Sequence, residues 1–578
     1  MSAAGTRTGA ATARVHAAYR RIAEVDRPEV WIALRGRDEV LAEAALVDAR
    51  AAAGADLPLC GTVLAVKDNI DVAGLPTTAA CPSFGYLPEA SAPAVARLVE
   101  RGAIVLGKTN LDQFATGLTG ARSPYGAVRC AAHPDRISGG SSSGSAVAVA
   151  LGLVDLGLAT DTAGSGRVPA AFQGIVGVKP TIGLVPTAGV VPACRSFDCV
   201  TVFATTVDAA EAAVALMTGP TPGDPSCRVW PADAPLAAPG QPRIGVPAAG
   251  ALAGLSASWR AAFDRVAARL STTGAALVPV DLEPFLAAGR LLYRGAFVAE
   301  RYAAVGAVME RYPREHLDPS VRAIIAAARD IPAHRLVADA ERLARLRVQA
   351  LAQLAGVDVL LLPTAPEHPT LAAVAADPLG VNERLGTFTT FANLLDLSAV
   401  AVPAGEVDGG PFGVTVLARA FADRVAADVA RLITGEPAAD ADAGPAGLPL
   451  VVVGAHLSGE PLNEELSRHG ARLVGPVRTA AEYRLYALPG TPARPGLVRV
   501  GADGRSIAGE LWLVPPATLA KLLAGLRAPL SLGPLRLDDG RMVTGFLCEP
   551  HAASAAPDIS EHGGWRAYRT SCQTTPTG

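Results

Sequence analysis

The sequence predicts an α/β domain followed by a smaller β-rich domain, and three observations carry that reading. Short β-branched runs alternate with helical stretches from residue 60 onward. A segment poor in large apolar side chains, EPAADADAGPAGLP, interrupts the pattern at 436–449. Beyond it come strand-like runs divided by Gly and Pro. A chain of 578 residues also exceeds the roughly 250–300 residues that one hydrophobic core usually organises, so more than one domain is expected.

Taken in order, the first 55 residues read as helix, because Val15, Ala18, Tyr19 and Ile22, then Val40, Leu41, Ala44 and Leu46, recur near the 3.6-residue period. Strand-like runs follow at 62–66, 103–106, 174–178 and 357–362, with helical stretches between them. The apolar run 145–160 is too short for a membrane span and carries Asp155, so it reads as a core helix leading into a buried strand. Residues 263–270 and 332–354 read as amphipathic helices. The expected boundaries are 1–435 for the first domain, 436–449 for a linker and 450–570 for the second domain. In the second domain LVVVGAHL, AEYRLYALPG, GLVRVG, IAGELWLVP and MVTGFLCEP read as strands and 517–526 as a helix, which suits a small barrel or α+β fold.

Composition narrows the function classes. Half the residues are hydrophobic, 18% are charged and the net charge is -3, which disfavours both disorder and a grip on nucleic-acid phosphates. The N-terminal residues lack the apolar segment of a secretory signal, so a cytoplasmic protein without a membrane anchor is expected. The eight cysteines show no zinc or redox spacing and read as reduced thiols, and no metal site is expected. Only four of the 51 basic residues are lysine (Lys67, Lys108, Lys179 and Lys521), and three of them fall between 67 and 179. Arginine stays protonated, whereas a desolvated lysine can become a neutral base, so a lysine in an arginine-rich background draws attention.

One of the four sits in a deceptive motif. Residues 102–109, GAIVLGKT, match the P-loop pattern, but Ala-Ile-Val-Leu favours a buried strand over a loop curled around phosphate. Lys108 is therefore expected to follow a core strand.

Two loops carry the chemistry. SGGSSSGSA at 138–146 is too rich in Gly and Ser for a strong helix or strand, and it stands directly before a buried apolar run. A second small-residue loop, DTAGSGRVPA at 161–170, precedes the strand-like GIVGVKP. Together with the upstream GTVLAVKDNID, these segments resemble the amidase signature family over about residues 10–430. The resemblance implies a mixed sheet flanked by helices, with Lys67 as catalytic lysine, Ser141 as bridging serine after a cis peptide at Gly140, and Ser165 as nucleophile. It places the oxyanion on the backbone N–H groups of Thr162, Ala163, Gly164 and Ser165.

The chemistry suits those residue types. A serine hydroxyl needs a base, and no histidine lies in a recognisable Ser-His-Asp context. A buried, neutral Lys67 can serve, with Ser141 relaying the proton because a hydroxyl both donates and accepts. Asp161 and Arg167 are expected to brace the loop, as are Ser142 and Ser143.

Within the family the chain is most similar to the branch that cleaves allophanate, on KTNLDQFATGL, GGSSSGSAVAVA, VPACRSFDC and NLLDLSAVAVPAG. That likeness assigns Tyr293 and Arg301 to the substrate carboxylate, a pairing that an arginine fork suits. GAHLSGEPLN resembles the start of that branch's C-terminal domain, related to gamma-glutamyl cyclotransferase folds, where His456 matches a histidine implicated in decarboxylating the first product, N-carboxycarbamate. A lone histidine after an apolar strand is also commonly structural. The resemblance implies a small-molecule substrate, no cofactor and a homodimer. None of the four methionines lies in a Met-Lys-Met biotin-attachment sequence, so a urea carboxylase is expected as a separate functional partner. An amidase for another small amide, or a non-hydrolytic transamidase-like protein, stands as the alternative.

Overall fold

The computed structural model describes residues 9–248, 250–439 and 447–574, which form two compact units. The first runs to Val229 and resumes at Gln241–Ala438, and the second joins Trp230–Gly240 to the residues from 439 onward. The segment 230–240, which the sequence reading leaves inside the first domain, belongs with the second. Leu236 there donates its N–H to Gly470 at 2.7 Å and accepts from the Arg472 guanidinium at 2.8 Å.

The first unit is built on an eleven-stranded sheet. Its strands are β1 (Trp31–Leu34), β2 (Val63–Lys67), β3 (Ile104–Thr109), β4 (Leu156–Asp161), β5 (Val176–Lys179), β6 (Cys199–Ala204), β7 (Arg243–Pro247), β8 (Ala276–Val280), β9 (Val359–Pro363), β10 (Leu397–Val407) and β11 (Gly410–Arg419). They lie in the order β1-β3-β2-β4-β6-β5-β10-β11-β9-β7-β8. Pairing is parallel across β3-β2-β4 and β9-β7-β8 and antiparallel elsewhere, so the sheet is mixed, and with the helices around it the α/β class is met.

The N-terminal region departs from a purely helical reading. Helices Ala10–Val25 and Arg37–Ala52 form, but β1 lies between them and pairs antiparallel with β3. Pro28 closes the first helical run, and the neighbouring Val30, Trp31 and Ile32 favour extended backbone. Val15 and Ala18 of the first helix and Val40 and Ala44 of the second bury against Val63, Ala65, Ile104 and Leu106 of the sheet, and against Ala146–Val149 of the helix Ser143–Ala150.

The P-loop-like motif is extended, as its side chains dictate. Lys108 lies inside β3 rather than after it, fully buried, with its Nζ 3.1 Å from Asp68 Oδ1. Gly107 serves close packing and no phosphate: a Cβ there would stand 2.3 Å from the Ala33 carbonyl of β1.

The second unit is α+β. Strands β12 (Leu448–Val452), β13 (Arg472–Arg478), β16 (Ala508–Val514), β17 (Leu530–Arg536) and β18 (Met542–Cys548) form a sheet in the order β13-β16-β12-β18-β17. A separate hairpin joins β14 (Tyr483–Leu488) to β15 (Arg494–Arg499), and the helix Pro516–Gly525 follows β16. The two edge strands, β13 and β17, are the ones the sequence reading misses. Each carries a Gly-Pro pair, Gly475-Pro476 and Gly533-Pro534, which reads as a turn yet is tolerated at a sheet edge, where a missing N–H breaks no ladder bond on the open side. Of the expected linker, residues 440–446 lie outside the described residues, and β12 already begins at Leu448. Among the described residues no helix is long and apolar enough to cross a membrane.

Candidate active site

Neighbouring strand ends build the site. β2 and β4 run parallel, so the last residue of β2, Lys67, comes beside Thr160 near the end of β4. Lys67 is fully buried and donates from Nζ to Thr160 Oγ1 at 2.8 Å, and the same nitrogen lies 2.8 Å from Ser141 Oγ. Asn69 donates to the same Thr160 hydroxyl at 3.2 Å. Burial is the chief reason the Lys67 amine is pulled from 10.5 down to about 7; the Arg301 charge acts in the same sense, while Asp112, Asp161 and Asp198 oppose it.

Ser141 Oγ in turn lies 3.0 Å from Ser165 Oγ. Lys67, Ser141 and Ser165 therefore form one hydrogen-bonded line. Because hydroxyls can turn, its protons can point outward from an ammonium or inward toward a neutral amine. The Gly140–Ser141 peptide is cis. Asp112 packs against this loop: its N–H donates to the Ser141 carbonyl at 3.0 Å, while its carboxylate accepts the N–H groups of Thr119, Gly120 and Arg122 in the adjoining segment at 3.1, 3.0 and 2.9 Å. A Cβ on Gly140 would fall 2.1 Å from Asp112 Oδ2, so glycine is required there. Ser142 donates to the Thr160 carbonyl at 3.0 Å and Ser143 to the Asn110 carbonyl at 3.3 Å, which ties the loop to the sheet.

The second loop, which bears Ser165, is held from within. Arg167 grips Asp161 through Nε and Nη2, both at 2.9 Å, and also donates to Thr389 O and Asn393 Oδ1 at 3.0 Å. Asn393 closes the circuit by donating to the Asp161 carbonyl at 2.8 Å. Burial alone would raise the Asp161 carboxyl, but Arg167, with smaller help from Lys179 and the Gly166 N–H, holds it below its ordinary value. The pair is fully buried and bidentate, the geometry that compensates desolvation best.

The predicted oxyanion donors are not equivalent. Gly164 donates its N–H to Asp161 Oδ1 at 2.9 Å, so that donor is already engaged. Its glycine is needed for another reason: φ is +131° and a Cβ would meet Thr389 Oγ1 at 2.4 Å. Thr162 is anchored through its hydroxyl to Asp198 Oδ1 at 2.5 Å, and Ala163 through its carbonyl to the Thr389 hydroxyl at 2.8 Å. These anchors immobilise the backbone around Ser165.

Arg301 and Tyr293 stand together. Arg301 is 1% exposed, donates from Nη2 to the Tyr293 hydroxyl at 3.0 Å and from Nη1 to Thr116 Oγ1 at 2.9 Å, and its guanidinium carbon lies 5.1 Å from the Tyr293 ring centre. Its Nε is buried with no acceptor among the described residues. A buried guanidinium with an idle donor suits an anion that arrives with the substrate. Thr116 is presented by unusual backbone, since the two residues before it, Phe114 and Ala115, both adopt left-handed φ values of 50° and 51°.

In the second unit His456 follows β12 and stacks on Phe546, with ring centres 4.8 Å apart and planes inclined by 13°. Its Nε2 lies 3.0 Å from Glu465 Oε2. Burial pushes the imidazole below its ordinary value and Arg494 adds to that, while Glu465 pulls it back up.

Thr160, Asn69, Asp112, Thr116 and Asn393 escape a reading of the sequence. Apart from Asp112, whose carboxylate binds N–H groups 7 to 10 residues on, each acts through a contact far along the chain, such as the 232 residues between Asn393 and Asp161, so no local spacing marks them. Among the described residues no group of three or more His, Cys, Asp or Glu side chains could hold a metal ion.

Comparison with known proteins bears on this geometry. The family model described as Amidase matches residues 13–425, and that described as Allophanate hydrolase C-terminal domain matches 448–570. The chain is similar to the urea amidolyase of Saccharomyces cerevisiae, with 39% identity over 95% of this chain and 31% of that protein. It is also similar to the urea amidolyase of Lachancea kluyveri, with 41% identity over 89% of this chain and 30% of that protein. It therefore spans about a third of the length of these relatives. Among solved structures, the Kluyveromyces lactis allophanate hydrolase superposes with a TM-score of 0.87 at 37% identity, covering 97% of each chain.

Proposed function

The chain belongs to the amidase family, and from that premise we propose that it hydrolyses allophanate through an acyl-enzyme on Ser165. The observation that carries the reading is the line of Lys67, Ser141 and Ser165 at 2.8 and 3.0 Å, with an idle Arg301 donor available for a carboxylate. Likeness over nearly the whole chain to an allophanate hydrolase, and the match to that enzyme's C-terminal domain, select the substrate within the family.

In this mechanism neutral Lys67 draws the Ser141 proton as Ser141 takes that of Ser165. Ser165 Oγ attacks the terminal amide carbon, and the oxyanion settles on the backbone N–H groups of Thr162, Ala163 and Ser165. The proton returns along the same line to the departing nitrogen and ammonia leaves. Water then cleaves the carbamoyl ester and releases N-carboxycarbamate. Arg301 and Tyr293 hold the substrate carboxylate throughout, which fixes the amide against the nucleophile. His456 acts on the released product, whose decarboxylation yields carbamate and, from it, the second ammonia. The enzyme works in the cytoplasm as a homodimer, and a urea carboxylase is the functional partner that supplies allophanate.

Ammonia release from allophanate tests the assignment. Wild-type protein turns it over, Ser165→Ala abolishes turnover, and Arg301→Ala removes activity on allophanate by at least about a hundredfold, the cost of a lost charged contact of about 3 kcal/mol. A mass adduct from a serine-directed inhibitor, absent in Ser165→Ala, is expected as well. Failure of wild-type protein to release ammonia from allophanate while it hydrolyses another small amide overturns the substrate.

A further inference from the structure

The run VPACRSFDC at 191–199 turns back on itself just before β6. Phe197 and Asp198 both donate their N–H to the Cys194 carbonyl, at 2.8 and 2.9 Å, and only Arg195 and Ser196 at the tip are exposed. β4 and β6 pair antiparallel with Asp161 opposite Cys199, so the next position outward sets Thr162 against Asp198. The register of the sheet therefore delivers a carboxylate to the strand end that leads into Ser165.

Asp198 is buried and both its oxygens are in use. Oδ1 accepts the Thr162 hydroxyl at 2.5 Å and Oδ2 accepts the Ala193 N–H at 2.9 Å, while the Cys194 N–H lies 3.1 and 3.2 Å from the two oxygens. Burial raises this carboxyl above its ordinary value, and the Thr162 hydroxyl, the Cys194 and Ala193 N–H groups and the Arg301 charge pull it back. An amide at 198 can accept at only one of the two oxygen positions, so Asp198→Asn breaks part of this contact with almost no change of size.

The same turn reaches two further parts of the site. Upstream, Val191 donates its N–H to the carbonyl of Asn69, two residues beyond Lys67, at 2.8 Å. At the tip, Ser196 donates its N–H to Glu300 Oε2 at 2.9 Å, Phe197 meets Phe297 edge to face with ring centres 5.2 Å apart, and Cys194 Sγ donates to the Phe297 carbonyl at 3.8 Å. Glu300 directly precedes Arg301. One short turn is thus fastened to the strand of the base, to the strand end of the oxyanion donors and to the segment that carries Arg301.

We propose that the turn 193–198 is a spacer that fixes how far Arg301 stands from the oxyanion donors, with Asp198 as its positioning residue. The inference rests on the proposed hydrolysis of allophanate and adds to it the source of substrate selection. In allophanate a single nitrogen separates the amide carbon from the carboxylate carbon. A carboxylate seated on Arg301 brings the amide carbon against Ser165 only when the two anchors keep that span, and a substrate one atom longer presents its amide out of line. Asp198 acts through Thr162 rather than on the substrate, so its loss shows in discrimination between substrates of different span.

The test compares kcat/KM for ammonia release from allophanate and from succinamate, whose carboxylate stands one atom farther from the amide carbon. Wild-type protein is expected to favour allophanate by about 100-fold, within the range that one methylene of misfit gives. Asp198→Asn and Glu300→Ala, at opposite ends of the turn, should each lower that preference about tenfold, chiefly through kcat for allophanate, and the double variant should lower it no further, because both release the same spacing. Thr162→Ser keeps a hydroxyl on Asp198 and should keep the preference, whereas Thr162→Val should match Asp198→Asn. Inhibition of allophanate turnover by malonate and succinate, dianions of the same two spans, reads the spacing where succinamate turnover falls below detection, and the ratio of their inhibition constants should narrow in the same variants. Circular dichroism verifies folding; if Asp198→Asn does not fold, Glu300→Ala and Thr162→Val carry the test. Losses that leave the preference unchanged assign the turn to the fold alone and overturn the spacer, as does wild-type protein that treats both spans alike. Wild-type protein that releases no ammonia from allophanate overturns the hydrolase reading, and the spacer with it.

Discussion

The buried amine of Lys67 sets a pH dependence that can be worked from its surroundings. With its ordinary value of 10.5, about 3 in 10,000 molecules would carry a neutral Lys67 at pH 7, whereas a value of about 7 makes about half of them neutral. The gain in competent base is roughly a thousandfold, within the range that general-base catalysis usually contributes. Since kcat/KM reports the free enzyme, it should rise about tenfold per pH unit below about pH 7 and flatten above it. Lys67→Arg preserves the positive charge but cannot yield a base, so it should lose at least about a thousandfold in kcat/KM across the whole range. The assay is initial-rate ammonia release from allophanate between about pH 6 and about pH 9, with circular dichroism to verify folding of the variant. A flat wild-type profile through this interval, or Lys67→Arg activity within about tenfold of wild type, refutes the proton-accepting role.

The same burial has a stability consequence of opposite sign to a salt bridge. Folding buries the Lys67 ammonium, at a cost of roughly 5 kcal/mol that is present in full below about pH 7, shrinks as the folded state sheds its proton, and is gone above 10.5. Lys67→Met should therefore raise the melting temperature relative to wild type most at pH 6 and progressively less as the pH approaches 10; a difference that does not vary with pH contradicts the depressed value. Gly164→Ala places a methyl 2.4 Å from Thr389 Oγ1 at a φ of +131°, and is expected to lower kcat by about 100- to 1,000-fold with little change in KM, because it displaces the backbone that receives the oxyanion. Thr116→Val removes the acceptor for Arg301 Nη1 and should raise KM for allophanate about tenfold while sparing turnover of a neutral amide of similar size; equal losses on both substrates would assign Thr116 to the fold alone.

What a sequence can show of such a site depends on the distance over which each constraint acts. Gly139, Gly140 and Gly164 are demanded by backbone geometry and close approach, and constraints of that kind leave a local mark, a run of small residues where a linker would serve no purpose. Lys67 is visible for a different reason: arginine supplies nearly all the other positive charge, so the exceptions stand out. Thr160 and Asn393 leave no mark. A threonine at the end of a buried strand and an asparagine 232 residues from Asp161 acquire their roles only when β4 lies beside β2 and the chain returns to the Arg167 loop. The fold divides in the same way. Central strands such as β9 and β12 announce themselves as unbroken apolar runs, whereas β13 and β17 tolerate Pro476 and Pro534 because they lie at sheet edges, and edge position is a property of the assembled sheet. Lys521 shows both cases at once. Its rarity marks it in the composition, but its neighbours around one cavity of the second unit, His456 and Arg494, lie on separate segments, so their grouping exists only in the folded unit.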